Sequence, residues 1–172
     1  MTSPIDDLNA MPPQRAADAL RACCGASRWV SAMLARRPFH SLDDALAAAD
    51  EAWAPLGPDD WREAFDHHPR IGEQRSAQPQ DARGAAWSAG EQRNVAAAAP
   101  RTRDELARIN RDYEAKFGHI YIVCAAGKSA DELLATARRR LANAPSAELR
   151  VAAGEQHQIT RLRLRALLSE HS

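Results

Sequence analysis

Apolar residues recur three and four positions apart along nearly the whole chain, and most of these stretches open on a residue that can cap a helix. Alternating apolar and polar runs are almost absent, so a chain patterned in this way buries its stripes by packing helix on helix. Pro12-Pro13 suit a first helical turn whose helix ends near Gly25, and Ser27 begins a segment with Trp29, Val30, Met33 and Leu34 on one side, stopped by Pro38. Ser41 with Asp44 predicts a helix to about Trp53, and Pro58 opens another with Trp61, Ala64, Phe65 and His68 along one side, ending at His68. The stretch from Gly72 to about Gly84 reads as a loop. Ser88 with Glu91, Thr102 with Glu105 and Ser129 with Glu132 have capping-box spacing and predict three more helix starts. The stripe Leu106, Ile109, Tyr113, Phe117 stops at Gly118; the helix from Ser129 runs to about Asn143; Pro145-Ser146 lead into a last helix reaching about Leu168.

The run His119 to Ala126 is the one stretch rich in β-branched and aromatic residues, and it is either a short extended segment or a buried helix start. The expected fold is therefore all-α: a single-domain compact helical bundle over 1–172, with about seven to nine helices and at most one short extended segment near 120–125. A chain of 172 residues can bury roughly 70% of its unfolded surface without disulfides or metals.

Lysine and arginine together number 23, as do aspartate and glutamate, so no net field attracts a polyanion or an acidic membrane face, and nucleic acid and membrane are not expected partners. The preference for arginine over lysine, which occurs only at Lys116 and Lys128, reads as coding bias. The cysteines are odd in number, and adjacent Cys23-Cys24 cannot form an ordinary unstrained bridge, which points to a reducing compartment, the cytoplasm. No apolar run approaches the length of a membrane span, the N-terminal residues lack signal-peptide order, and Glu170-His171-Ser172 is no peroxisomal address.

Three polar residues stand out against the apolar faces. His68 should point where Trp61 and Phe65 point, and Pro69 places it at a helix C-terminus, where the macrodipole favours a protonated ring. By pattern alone, such a histidine more often caps carbonyls or fills a core edge. Glu91 aligns with Val95 and Ala98 on an inward face, but Ser88-x-x-Glu91 is itself a capping box, and pattern alone favours capping. On the last helix Arg163 falls between Leu162, Ala166 and Leu167, while Arg161 and Arg165 face away. A guanidinium on an apolar stripe is either a buried ion-pair member or an anchor for an anion, and pattern does not choose between them. An inward imidazole, carboxylate and guanidinium are what a site for a small, hydrogen-bond-rich anion requires.

The run His68-Pro69-Arg70-Ile71-Gly72, preceded by Ala64-Phe65-Asp66-His67, resembles the bacterial form of the signature of 2-oxo-4-hydroxy-4-carboxy-5-ureidoimidazoline (OHCU) decarboxylases. The likeness extends to Arg37-Pro38-Phe39, Ser88 to Gln92, Asn110-x-x-Tyr113-x-x-Lys116-Phe117-Gly118, Glu148, Gly154-Glu155 and Ile159-x-x-Leu162-Arg163-Leu164. His119 departs from it, standing where a large apolar residue is common. The resemblance implies a catalytic trio of His68, Glu91 and Arg163, the same three residues that the helical faces single out. It also implies substrate contacts at Pro69, Ser88 and Gln92 and from the backbone of Tyr121, Ile122, Val123, Cys124 and Ala125. The implied reaction converts OHCU, formed from urate by way of 5-hydroxyisourate, to (S)-allantoin and carbon dioxide. The neighbouring ring carbonyl can take up the electron pair that decarboxylation releases, so no external cofactor is implied. The same likeness suggests a homodimer and a functional link to urate oxidase and 5-hydroxyisourate hydrolase.

Other readings are a non-enzymatic helical binding or scaffold module, a metalloprotein and a cysteine nucleophile. The histidines show no H-x-x-x-H spacing and the cysteines no C-x-x-C, and Cys23, Cys24 and Cys124 have no adjacent base, so no metal site is expected.

Overall fold

In a computed structural model, residues 2–73 and 82–169 are described. They form ten helices and, among the described residues, no β-strand, so the all-α class holds. The helices are α1 (Pro4–Ala10), α2 (Pro13–Cys23), α3 (Ser27–Ala35), α4 (Leu42–Trp53), α5 (Pro58–Phe65), α6 (Ala82–Glu91), α7 (Arg93–Ala96), α8 (Pro100–Phe117), α9 (Ala130–Leu141) and α10 (Pro145–Leu168). Two of them lift the count above the seven to nine expected. The short α1 is started by a Ser3–Asp6 capping box, and α7 is a single turn separated from α6 at Gln92. Most of the loop expected over 72–84 lies outside the described residues.

The chain divides into two compact units, Met1–Ala64 with His157–Ser172, and Phe65–Gln156. In the first, α2, α3 and α4 meet through small residues: Ala16, Ala45 and Ala49 are wholly buried beside Leu20, Trp29 and Met33. Trp29 is accommodated there because its indole N–H donates to the Ala49 carbonyl at 3.2 Å. Asn9 on α1 bonds both backbone groups of Phe39, at 2.7 and 2.8 Å, and so fixes the chain after α3.

In the second unit, α8 and α9 enclose a core of Ile71, Val95, Leu106, Ile109, Tyr113, Tyr121, Val123, Leu133, Leu134 and Ala137. Gly118 ends α8 at φ +75°, a conformation that costs a residue with a Cβ. The start of α8 corrects an expectation: the helix opens at Pro100, and Thr102, inside it, bonds Asp131 at 3.5 Å instead of capping. Proline preorganises a first helical turn, and here that outweighs the capping-box spacing two residues later. The run 120–125 is neither helix nor strand, which overturns the helix-start alternative; among the described residues there is no second strand with which it could form a ladder.

Candidate active site

His68 lies beyond α5 rather than on it. The helix ends at Phe65, and the His68 N–H turns back to the Phe65 carbonyl at 3.0 Å. Pro69 is the physical reason, since its ring disfavours helical geometry at the residue before it. His68 is buried, and its Nε2 is 2.7 Å from Oε1 of Gln156, itself wholly buried. A carboxamide oxygen can only accept, so Nε2 donates.

The turn that follows is held through its backbone. The Gly72 N–H donates to Gln92 Oε1 at 2.7 Å, and Gln92 Nε2 reaches the Arg70 carbonyl at 3.5 Å. Asn110 Nδ2 donates to the Ile71 carbonyl at 2.9 Å. Gly72 takes φ +92°, a left-handed conformation that favours glycine. Arg70 grips Glu114 through Nε and Nη2, the second contact at 3.1 Å. Asn110 and Glu114, four residues apart on α8, therefore serve the same turn. Gln92, expected as a substrate contact, directs its carboxamide to this backbone.

Ser88 and Glu91 do not form a capping box, a second correction. They are the seventh and last residues of α6, because the helix begins at Ala82, and an alanine-containing run extends it past the serine. Ser88 is buried and Glu91 half-buried. The Cys124 thiol is pushed up from its ordinary value, first by burial, with the charges of Glu155 and Glu91 adding to the effect. The 121–125 segment is buried throughout, and its backbone is satisfied by side chains: Arg140 Nη1 donates to the Ile122 carbonyl at 2.7 Å, and the Cys124 N–H donates to Glu155 at 3.1 Å.

Behind it, Arg140 pairs with wholly buried Glu148 at 2.5 Å. Tyr113 also donates to Glu148, and Asn143 does so at 2.9 Å. Burial and the Glu148 hydrogen bond both push the Tyr113 hydroxyl up, and burial does the same to Tyr121. His119 packs against Phe65, Tyr113 and Phe117, ring to ring, so the imidazole fills the place of an apolar side chain.

All the candidates named from sequence except Arg163 lie in the Phe65–Gln156 unit; Arg163 belongs to the other. It is buried, as expected, and Nη1 donates to the Ala22 carbonyl at 3.0 Å. Its neighbours differ from those expected. Leu162 is 46% exposed and Ala166 is exposed, while Ile159, Thr160 and Leu164 share the buried side. The apolar character of Leu162 misplaces the face by about one residue. Nearby, the Cys24 thiol is pushed up to about 12 by burial, partly offset by its hydrogen bonds and the Arg163 charge. A thiol so placed stays protonated and is a poor nucleophile. Among the described residues no group of three metal-ligating side chains could hold an ion.

Sequence reasoning passed over Gln156 and Thr160, both wholly buried. With Arg163 they form an i, i+4, i+7 series on α10, so counting back two turns from the arginine would have found them.

The family model described as OHCU decarboxylase matches residues 9–165. The uric acid degradation bifunctional protein TTL of Arabidopsis thaliana is 36% identical over 154 residues, which are 89% of this chain and 47% of that protein. This chain thus spans about half the length of that relative. The 2-oxo-4-hydroxy-4-carboxy-5-ureidoimidazoline decarboxylase of Haloferax volcanii is 26% identical over 161 residues, 93% of each chain. Among solved structures, an OHCU decarboxylase crystallised in the presence of (S)-allantoin superposes with a TM-score of 0.76 at 32% identity, covering 89% of this chain and 99% of that one.

Proposed function

This chain belongs to the OHCU decarboxylase family, carboxy-lyases of urate degradation, and we propose that it converts OHCU to (S)-allantoin and carbon dioxide without an external cofactor. The observation that carries the reading is the buried His68, its Nε2 committed to Gln156, on a turn whose backbone is held by Gln92 and Asn110. Such preorganisation is what a proton-handling group needs.

The reaction breaks the bond between the ring carbon and its carboxylate. Carbon dioxide leaves, and the electron pair passes into the adjacent ring C=N, which is conjugated with the 2-oxo group and takes the place of the neighbouring carbonyl expected above, so the substrate supplies its own electron sink. One proton must then reach carbon from a single face. His68 manages that proton, Glu91 holds the ureido N–H groups, and Arg163 stabilises the developing negative charge. Pro69, Ser88, Gln92 and the backbone from Tyr121 to Ala125 line the substrate, with Gln92 doing so by shaping the turn at 70–72. The chain acts as one domain in this, a reading supported by a family match that runs through both compact units.

Cys23, Cys24 and Cys124 are all buried and none forms a disulfide, in keeping with a cytoplasmic protein, and no described helix is long and apolar enough to cross a membrane. A homodimer is proposed from the family likeness alone. The link to the enzyme that supplies OHCU is supported by the name of the Arabidopsis relative, which is bifunctional and carries sequence beyond the matched part.

The test is to generate OHCU in situ from urate with the two upstream activities and to follow optical activity at the allantoin band. Faster appearance of a chiral product is expected; appearance at the uncatalysed rate would reject the assignment.

A further inference from the structure

Gln156 is a glutamine with no exposed surface, placed 88 residues from His68 in sequence and 2.7 Å from it in space. Its carbonyl oxygen faces Nε2. In the neutral ring the proton then sits on Nε2, and Nδ1 carries the lone pair. A carboxylate in the same place would also fix the ring, but its charge would favour imidazolium over imidazole. An amide orients the ring without that bias.

We propose that Gln156 is a positioning residue that holds His68 in the Nε2-protonated tautomer, making Nδ1 the atom that accepts and returns the proton. Holding the tautomer is a property of the fold; the catalytic half of the statement rests on the role assigned to His68 above.

The two halves can fail separately. The full chain, labelled with ¹⁵N-histidine and assigned with the His68→Asn variant, is observed by long-range ¹H–¹⁵N correlation at a pH where imidazoles are neutral. His68 should show a protonated Nε2 and an unprotonated Nδ1. A protonated Nδ1 in the wild-type chain overturns the proposal whatever the activity. Gln156→Leu should give a mixture of tautomers, whereas Gln156→Glu, which keeps an acceptor but adds a charge, should keep the proton on Nε2 and protonate Nδ1 as well up to a higher pH than in the wild type. With OHCU generated in situ, Gln156→Leu should lower kcat on the order of 10- to 100-fold, as loss of a histidine's orienting partner does elsewhere, with KM little changed. A folded Gln156→Leu with wild-type kcat overturns the positioning role. If neither it nor the wild-type chain turns over OHCU, the functional reading fails while the tautomer result stands.

Discussion

Residues 66–73 and 119–126 are both irregular, and both belong to the Phe65–Gln156 unit, yet they are held by different chemistry. The turn after His68 is fixed by the neutral amides of Gln92 and Asn110. Its ion pair, Arg70 with Glu114, lies at a side chain that is 42% exposed. The segment after α8 is fixed by ionised groups: Arg140, itself paired with wholly buried Glu148, and Glu155. Neutral partners hold the imidazole's surroundings without adding field to them. The charged frame costs desolvation and is stable only while every member keeps its partner.

The largest effect expected is therefore on stability, in the charged frame. Glu148→Ala would leave the Arg140 guanidinium buried without its main partner and should cost about 3–5 kcal/mol. Asn110→Ala, which leaves the Ile71 carbonyl without its donor, should cost about 1–3 kcal/mol. Urea unfolding of both variants beside the parent measures the difference. Equal losses would mean that the two segments are not held in the distinct ways described.

Next comes activity, where the ranking should reverse. His68→Asn removes the proton-handling group from a turn whose backbone bonds come from other residues, so turnover should fall by about 10²–10⁴-fold while the urea midpoint stays near that of the parent. A folded variant with wild-type turnover would remove His68 from the mechanism. A large loss of stability instead would make the turn a structural device like its counterpart.

The contrast also explains what could be read from sequence. Ser41 and Ser129 start α4 and α9 as their spacing predicts, both through side-chain bonds to the third residue of the helix. Ser88 and Thr102 have the same spacing and start nothing, because Ala82 to Ala86 and Pro100 launch their helices earlier. A capping motif is local, and it yields when stronger helix formers or a proline lie upstream. Arg163 was legible because a charge on an apolar stripe is conspicuous. Gln156 lies on the same face but is neutral, and only its pairing with a residue 88 positions away makes it notable. Long-range partners of that kind are not encoded in helical periodicity. The route of 119–126 is not legible in the sequence for the same reason, since it is decided by Arg140 and Glu155 from other helices.

The smallest effect expected is a pH dependence confined to one of the two segments. Burial raises the Tyr121 hydroxyl and the Cys124 thiol above their ordinary values, and Tyr113 behind them is raised by burial and by Glu148. In the unfolded chain these groups lose their protons at lower pH than in the folded one. Above the ordinary value of 9.0 for a thiol and 10.0 for a tyrosine hydroxyl, the folded state thus retains protons that the unfolded state has released. Stability contributed by these groups is complete below about pH 9 and falls as pH rises towards the folded values. No such group lies in the turn at 66–73, where Arg70 stays charged because Glu114 raises it further. Amide hydrogen exchange, corrected for its intrinsic pH dependence, should show 119–126 losing protection between pH 8 and about pH 10 while 66–73 keeps its own. Cys124→Ala should reduce the slope modestly by removing one titrating group. Equal loosening of both segments would mean that their backbones open together, and that the difference between amide and charged frames has no consequence for local stability.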